Sequence, residues 1–166
     1  MFRSFRRIGV LGVTAVAAGA FSAVAAVPAS AADGFEFTVY AKEIPTGQGD
    51  EDATGPPPEL GTSFAFADDL FKSKGGEKVG RDGVACTVVR TGNPNDIMCV
   101  GTFVLNGGPG GQLTGQTLLS VDPASEEQAA FDIAVTGGTG DFKDARGTIR
   151  STPDGDYSRL EFHITR

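Results

Sequence analysis

Residues 134–147 read A-V-T-G-G-T-G-D-F-K-D-A-R-G. An apolar run entering V-T-G-G-T-G can open a dinucleotide-binding unit, in which glycines approach the pyrophosphate and a helix N-terminus holds it. Here only residues 141–166 follow, and Gly147 and Pro153 interrupt them too soon for a helix of useful length. Lys143 also stands where the closing glycine of G-x-G-x-x-G belongs. The glycines instead predict a tight turn between two antiparallel strands, where positive φ angles are needed.

The sequence on either side supports strands. Phe35, Phe37 and Val39 alternate with Glu36, Thr38 and Tyr40; Phe131, Ile133 and Val135 alternate with Asp132, Ala134 and Thr136; Leu160, Phe162 and Ile164 alternate with Glu161, His163 and Thr165. A period of two places one set on an inner face and the other in solvent. Turn-rich breaks such as K-S-K-G-G-E-K, T-G-N-P-N-D and T-P-D-G-D separate these runs. The spacing predicts about eight strands, starting near Phe35, Ser63, Lys78, Asp96, Gln112, Gln128, Lys143 and Tyr157, in an all-β antiparallel sandwich or barrel. Residues 44–61, rich in Pro, Gly and acid, predict a long exposed loop. Its Asp50-Glu51-Asp52 run lacks the alternate-position spacing of a calcium loop.

Residues 1–31 predict a secretory signal peptide. Arg3, Arg6 and Arg7 precede a mostly apolar run from Ile8 to Val27, and Ala29-Ser30-Ala31 fits a small-residue cleavage site. Arg6-Arg7 also permits a twin-arginine reading of the same leader. Residues 32–166 then form a single domain, secreted, with 11 basic and 21 acidic residues and a net charge of −10. Such a chain is a poor partner for nucleic acid or an anionic membrane, since phosphate binding depends on clustered Lys and Arg.

Cys86 and Cys99 flank a Gly-Asn-Pro-Asn turn between two β-rich runs. A hairpin would bring them opposite each other, so export predicts a disulfide. The single histidine, His163, falls on the polar face of the last strand; with both cysteines paired, no zinc site of usual composition and no Ser-His hydrolytic centre is available. The F-A-F-A-D-D-L-F stretch carries more chemistry. Alternation puts Phe64, Phe66 and Asp68 on one face and Ala65, Ala67 and Asp69 on the other. Asp68 is then either an inward carboxyl beside aromatic rings, with a raised pKa suited to proton transfer, or a solvated group at the barrel mouth.

L-G-T-S-F-A-F-A-D-D-L, G-V-A-C, G-T-F-V-L-N and above all G-G-T-G-D-F-K-D-A-R-G together resemble the allene oxide cyclase barrel-like superfamily, which includes the dirigent proteins. The resemblance spans Leu60 to about Ile149. It implies an eight-stranded antiparallel barrel with an apolar cavity, often a homotrimer, that cyclises a reactive intermediate or directs stereoselective coupling of phenolic radicals without a cofactor. Asp68 and Asp69 match the Asp-Asp pair of dirigent proteins, and Arg146 matches an arginine that looks like a pocket residue there, although alternation groups it with Thr148 and Arg150 on a polar face. The resemblance therefore marks Asp68, Asp69 and Arg146 as catalytic candidates, with Phe64, Phe66 and Phe131 lining a cavity for an apolar or phenolic ligand. Cys86 matches a pocket cysteine of the cyclases, whereas the position of their first-strand glutamate falls near Ala41, against plant-type cyclase activity. A non-catalytic carrier and a structural barrel filled by its own side chains are the rival readings.

Overall fold

Alternation of inward and outward residues lets a sheet close on itself, and closure removes the unpaired edges that invite aggregation. A computed structural model of the chain describes residues 34–45, 59–125 and 129–165. Its strands are β1 (Gly34–Glu43), β2 (Ser63–Phe71), β3 (Lys78–Arg90), β4 (Asn95–Leu105), β5 (Gly111–Val121), β6 (Phe131–Gly138), β7 (Arg146–Asp154) and β8 (Tyr157–Thr165). Each pairs antiparallel with the next, and β8 returns to pair with β1, giving a closed eight-stranded barrel. The barrel, rather than the sandwich, is the outcome of the all-β reading. The leader (1–31) and residues 46–58 of the 44–61 loop lie outside the described residues.

The expected β6 start near Gln128 lies outside the described residues, and β6 is described from Phe131. β7 begins at Arg146 rather than near Lys143. The reason lies in the G-G-T-G segment, which is not a tight hairpin turn. Beyond Gly138 the chain makes a short 3-10 helix, Gly140–Phe142, whose Phe142 and the following Ala145 are fully buried. Gly140 has φ +62°, and a Cβ there would lie 2.6 Å from the Gly110 carbonyl oxygen. At Gly138 a Cβ would meet the Gln112 and Phe142 carbonyl oxygens, both at 2.6 Å. The glycines thus let this connection fold inward across one end of the barrel and insert Phe142 as a plug.

Around that plug the interior is solid. Leu70, Leu113, Phe142, Ile149 and Phe162 have no exposed surface, and Phe103, Leu105 and Ile164 join them in one cluster. Phe162 stacks on Phe37 at 4.5 Å and meets Phe103 edge-on at 5.6 Å; Phe35 meets Phe142 at 5.4 Å. Each large apolar side chain removed from water in this half contributes about 1.5–3 kcal/mol. The other half carries a covalent tie. Cys86 on β3 lies directly opposite Cys99 on β4, Cα–Cα 4.1 Å, and the two form a disulfide, as the hairpin reading expected.

The candidate site: a carboxyl pair on the floor of a half-filled barrel

Beyond the packed half the barrel is hollow. A cavity of about 840 Å³ opens at the end opposite the plug, walled by Phe64, Phe66, Ile97, Leu119, Phe131 and Leu160 among others. Its size is that of a site for a drug-sized molecule. Phe64, Phe66 and Phe131, the expected lining residues, all face it, with Phe64 at the mouth and 45% exposed.

The floor is set by one row of the barrel ladder. Glu43 on β1 lies opposite Asp68 on β2, Asp68 opposite Asp82 on β3, and Asp82 opposite Phe103 on β4. Three neighbouring strands therefore each bring a carboxyl group to the cavity lining, with Asp82 opposite Phe103 and Glu43 exposed at the end of β1. Asp82 is only 6% exposed, and its Oδ1 accepts the Asp68 backbone N–H at 3.2 Å. Burial, and then the adjacent Asp68 charge, push the Asp82 carboxyl up to about 8. Asp68 is also raised, chiefly by burial, with the Asp82 hydrogen bond opposing and the Glu43 and Asp69 charges adding to it. At neutral pH the pair therefore holds a proton, with one member able to donate and the other to accept.

Of the two sequence readings for Asp68, the inward one describes its place. Asp82 was missed, although the signal was present: in G-R-D-G-V-A-C it shares its parity with Gly80, Val84 and Cys86, the inner face of β3. The other two candidates are elsewhere. Asp69 points outward, where Lys78 Nζ pairs with it at 2.5 Å, because a strand sends consecutive side chains to opposite faces. Arg146 begins β7 at the plugged end, exposed, its Nη1 donating to the Ala145 carbonyl at 2.7 Å. The structure thus brings Asp68 together with Asp82 and Glu43, and does not bring Asp69 or Arg146 into the cavity. Cys86 and Cys99 line the cavity wall as a disulfide. His163 is exposed, facing Glu36. Among the described residues no group of three or more His, Cys, Asp or Glu side chains is placed to hold a metal ion.

No protein-family profile matches the sequence, and no curated protein matches it. Solved structures do. A pyocyanin demethylase superposes with TM-score 0.60 at 25% identity, over 79% of this chain and all of its own. A pterocarpan synthase dirigent protein superposes with TM-score 0.56 at 18% identity, over 93% of this chain and 94% of its own. The closed up-and-down barrel and these two neighbours converge on one conclusion: the chain has the fold of the dirigent-like, allene oxide cyclase-like barrels.

Proposed function

We propose that this is an exported dirigent- or cyclase-like barrel that binds a small apolar or phenolic molecule in its cavity and directs its cyclisation or stereoselective coupling. The observation that carries the reading is the hollow half of the barrel: a wide apolar chamber whose floor holds the Asp68–Asp82 pair. A barrel filled by its own side chains would have no such chamber. The walls would hold the reacting molecule in one conformer, which is the larger part of what a cyclisation or coupling needs. The paired carboxyls would take a proton from a phenol or enol at one oxygen and return one from the other. The neighbours' names, a demethylase of pyocyanin and a synthase of pterocarpans, are in keeping with a small-molecule chamber. Export is supported by the disulfide, which fits an oxidising compartment, and by the composition of the leader.

The test has two stages. The neutral dye Nile red is expected to bind the protein with a blue-shifted emission, and Ile97→Trp, which narrows the chamber, is expected to weaken that signal; no shift with the unmodified protein would sink the reading. Coupling of oxidatively generated phenoxyl radicals is then followed by chiral chromatography. Asp68→Asn is expected to lower the stereoselective product at least tenfold, roughly the low end of what a positioned acid–base group contributes, while Nile red still binds. Unchanged product with retained binding would leave a carrier.

We also infer that the barrels assemble as a homo-oligomer, in keeping with the trimers of the family it resembles. The outer wall carries Met98, Val100 and Leu118 at 49%, 50% and 59% exposure, adjacent across β4 and β5 beside Ala65 and Ala85. A contiguous apolar strip of this kind is characteristic of an interface. Light scattering coupled to size exclusion is expected to give a multiple of the monomer mass, and Val100→Glu to reduce it to the monomer; a monomer for the unmodified protein would refute the assembly.

A further inference from the structure

We propose that the cavity selects an aromatic molecule bearing a positively charged nitrogen, seated with that nitrogen over Asp68 and Asp82 and its rings against Phe66 and Phe131. The inference rests on the ligand-binding reading of the chamber and names the class of ligand.

The distribution of charge carries it. Among the described residues, the charged ones lining the chamber are Glu43, Asp68, Asp82, Asp122 and Asp156, with no Lys, Arg or His. Asp122 follows β5, Asp156 lies in the turn between β7 and β8, and Glu43 is exposed at the end of β1, while Asp68 and Asp82 form the floor. Among the described cations of the outer wall, five are engaged by carboxylates there. Lys78 pairs with Asp69, Arg90 with Asp96, Arg150 with Asp132, Arg159 with Glu161 and Lys74 with Asp154. Lys42 sits over the Tyr157 ring at 5.4 Å. Among the described residues, none of Glu43, Asp68 and Asp82 takes part in an ion pair.

Asp82 makes the point most sharply. It is 6% exposed, directed into the chamber, and set beside a second carboxyl with no cation to offset either. Removing a charge from water without a partner is costly, and the cost would be avoided by any apolar residue at that position. A cation arriving with the ligand removes it, because attraction between opposite charges is strong where water is excluded. Aromatic rings in the same chamber add to the attraction through their negative faces. A metal ion is the poorer occupant, since no described cluster has the ligand geometry to hold one.

Charge linkage gives the idea a signature. The groups presented to the pair from β1, β4 and β8 include two further titratable residues, Glu43 and Tyr157; the remaining lining residues on these strands are apolar, a disulfide sulfur or a serine. The pair keeps a proton at neutral pH, and a cation favours its departure. Binding of a cation should therefore release a proton and tighten as the pH rises from 6 to 8. A neutral ligand that accepts a hydrogen bond from the protonated carboxyl would show the opposite trend.

Three flat probes of matched size separate the possibilities: N-methylacridinium (cation), acridine (neutral above pH 7) and acridine-9-carboxylate (anion), titrated by calorimetry at pH 7.5. N-methylacridinium is expected to bind at least tenfold tighter than acridine, with the carboxylate weakest, and its enthalpy to vary with the ionisation enthalpy of the buffer as a proton leaves. In Asp68→Asn/Asp82→Asn the advantage is expected to fall to threefold or less while acridine affinity holds. Asp132→Asn, on the outer wall, should keep it. Equal or tighter binding of acridine, or a cation preference that survives the double substitution, overturns the inference and leaves the chamber reading intact. If none of the three probes binds and Nile red also fails, the chamber reading falls as well.

Discussion

Asp82→Asn is expected to make the protein more stable than the unmodified chain in alkaline solution, raising the thermal midpoint by about 10 °C at pH 9 and scarcely at all at pH 4. The direction follows from linkage. Asp82 titrates near 3.8 in the unfolded chain and near 8 in the barrel. Between these values the folded state keeps a proton that the unfolded state gives up, so the stability this group contributes is present at low pH and is lost as the pH rises through about 8. Above that the barrel must hold an ionised Asp82 beside Asp68, a cost on the order of several kcal/mol at about 1.36 kcal/mol per pKa unit. Asparagine carries no charge at any pH, its carbonyl can accept the Asp68 N–H and its amide can donate to the Asp68 carboxylate, so the geometry of the pair is kept. Melting curves of both proteins from pH 4 to 9 check this. Parallel curves would show that Asp82 titrates as an ordinary carboxyl.

The second large effect concerns the plug. Phe142→Ala is expected to cost about 3–5 kcal/mol of unfolding free energy, the range for emptying a fully buried aromatic site. Phe142 has no exposed surface, meets Phe35 edge-on at 5.4 Å and seals the packed half of the barrel. The backbone cannot collapse readily into the space, because Gly138 and Gly140 already approach the carbonyls of Gln112 and Gly110 closely. Arg146→Ala, four residues on but exposed, is expected to stay within about 0.5 kcal/mol. Urea titrations measure both; a loss under about 1 kcal/mol for Phe142→Ala would mean that the segment only covers the barrel end.

The eight strands could be read from the chain because alternation and turn residues are local signals. Ser63, Lys78 and Tyr157 were anticipated as strand starts and are so. The 139–145 connection was misread as a tight turn because Phe142 becomes a core residue through contacts with β1, which lies a hundred residues earlier and leaves no mark on local pattern. Asp68 was legible for its neighbours Phe64 and Phe66. Asp82 was not, since an acid between Arg81 and Gly83 reads as turn or surface until register places it against Asp68. Arg146 entered the candidate set by motif alone, and the polar parity it shares with Thr148 and Arg150 described its position better. Whether the interior was filled or hollow depends on side-chain volumes summed around each ring of eight strands, which no single segment contains.

That uneven filling has a consequence for how such a protein can change over generations. Cohesion is concentrated at one end of the cylinder and molecular contact at the other, with the Asp68–Asp82–Phe103 row as the border. Residues above the border, such as Ile97, Leu119 and Phe131, can be exchanged for others without loosening the keystone around Phe142 and Phe162. The same scaffold can thus drift toward new cargo one wall residue at a time, its foundation untouched.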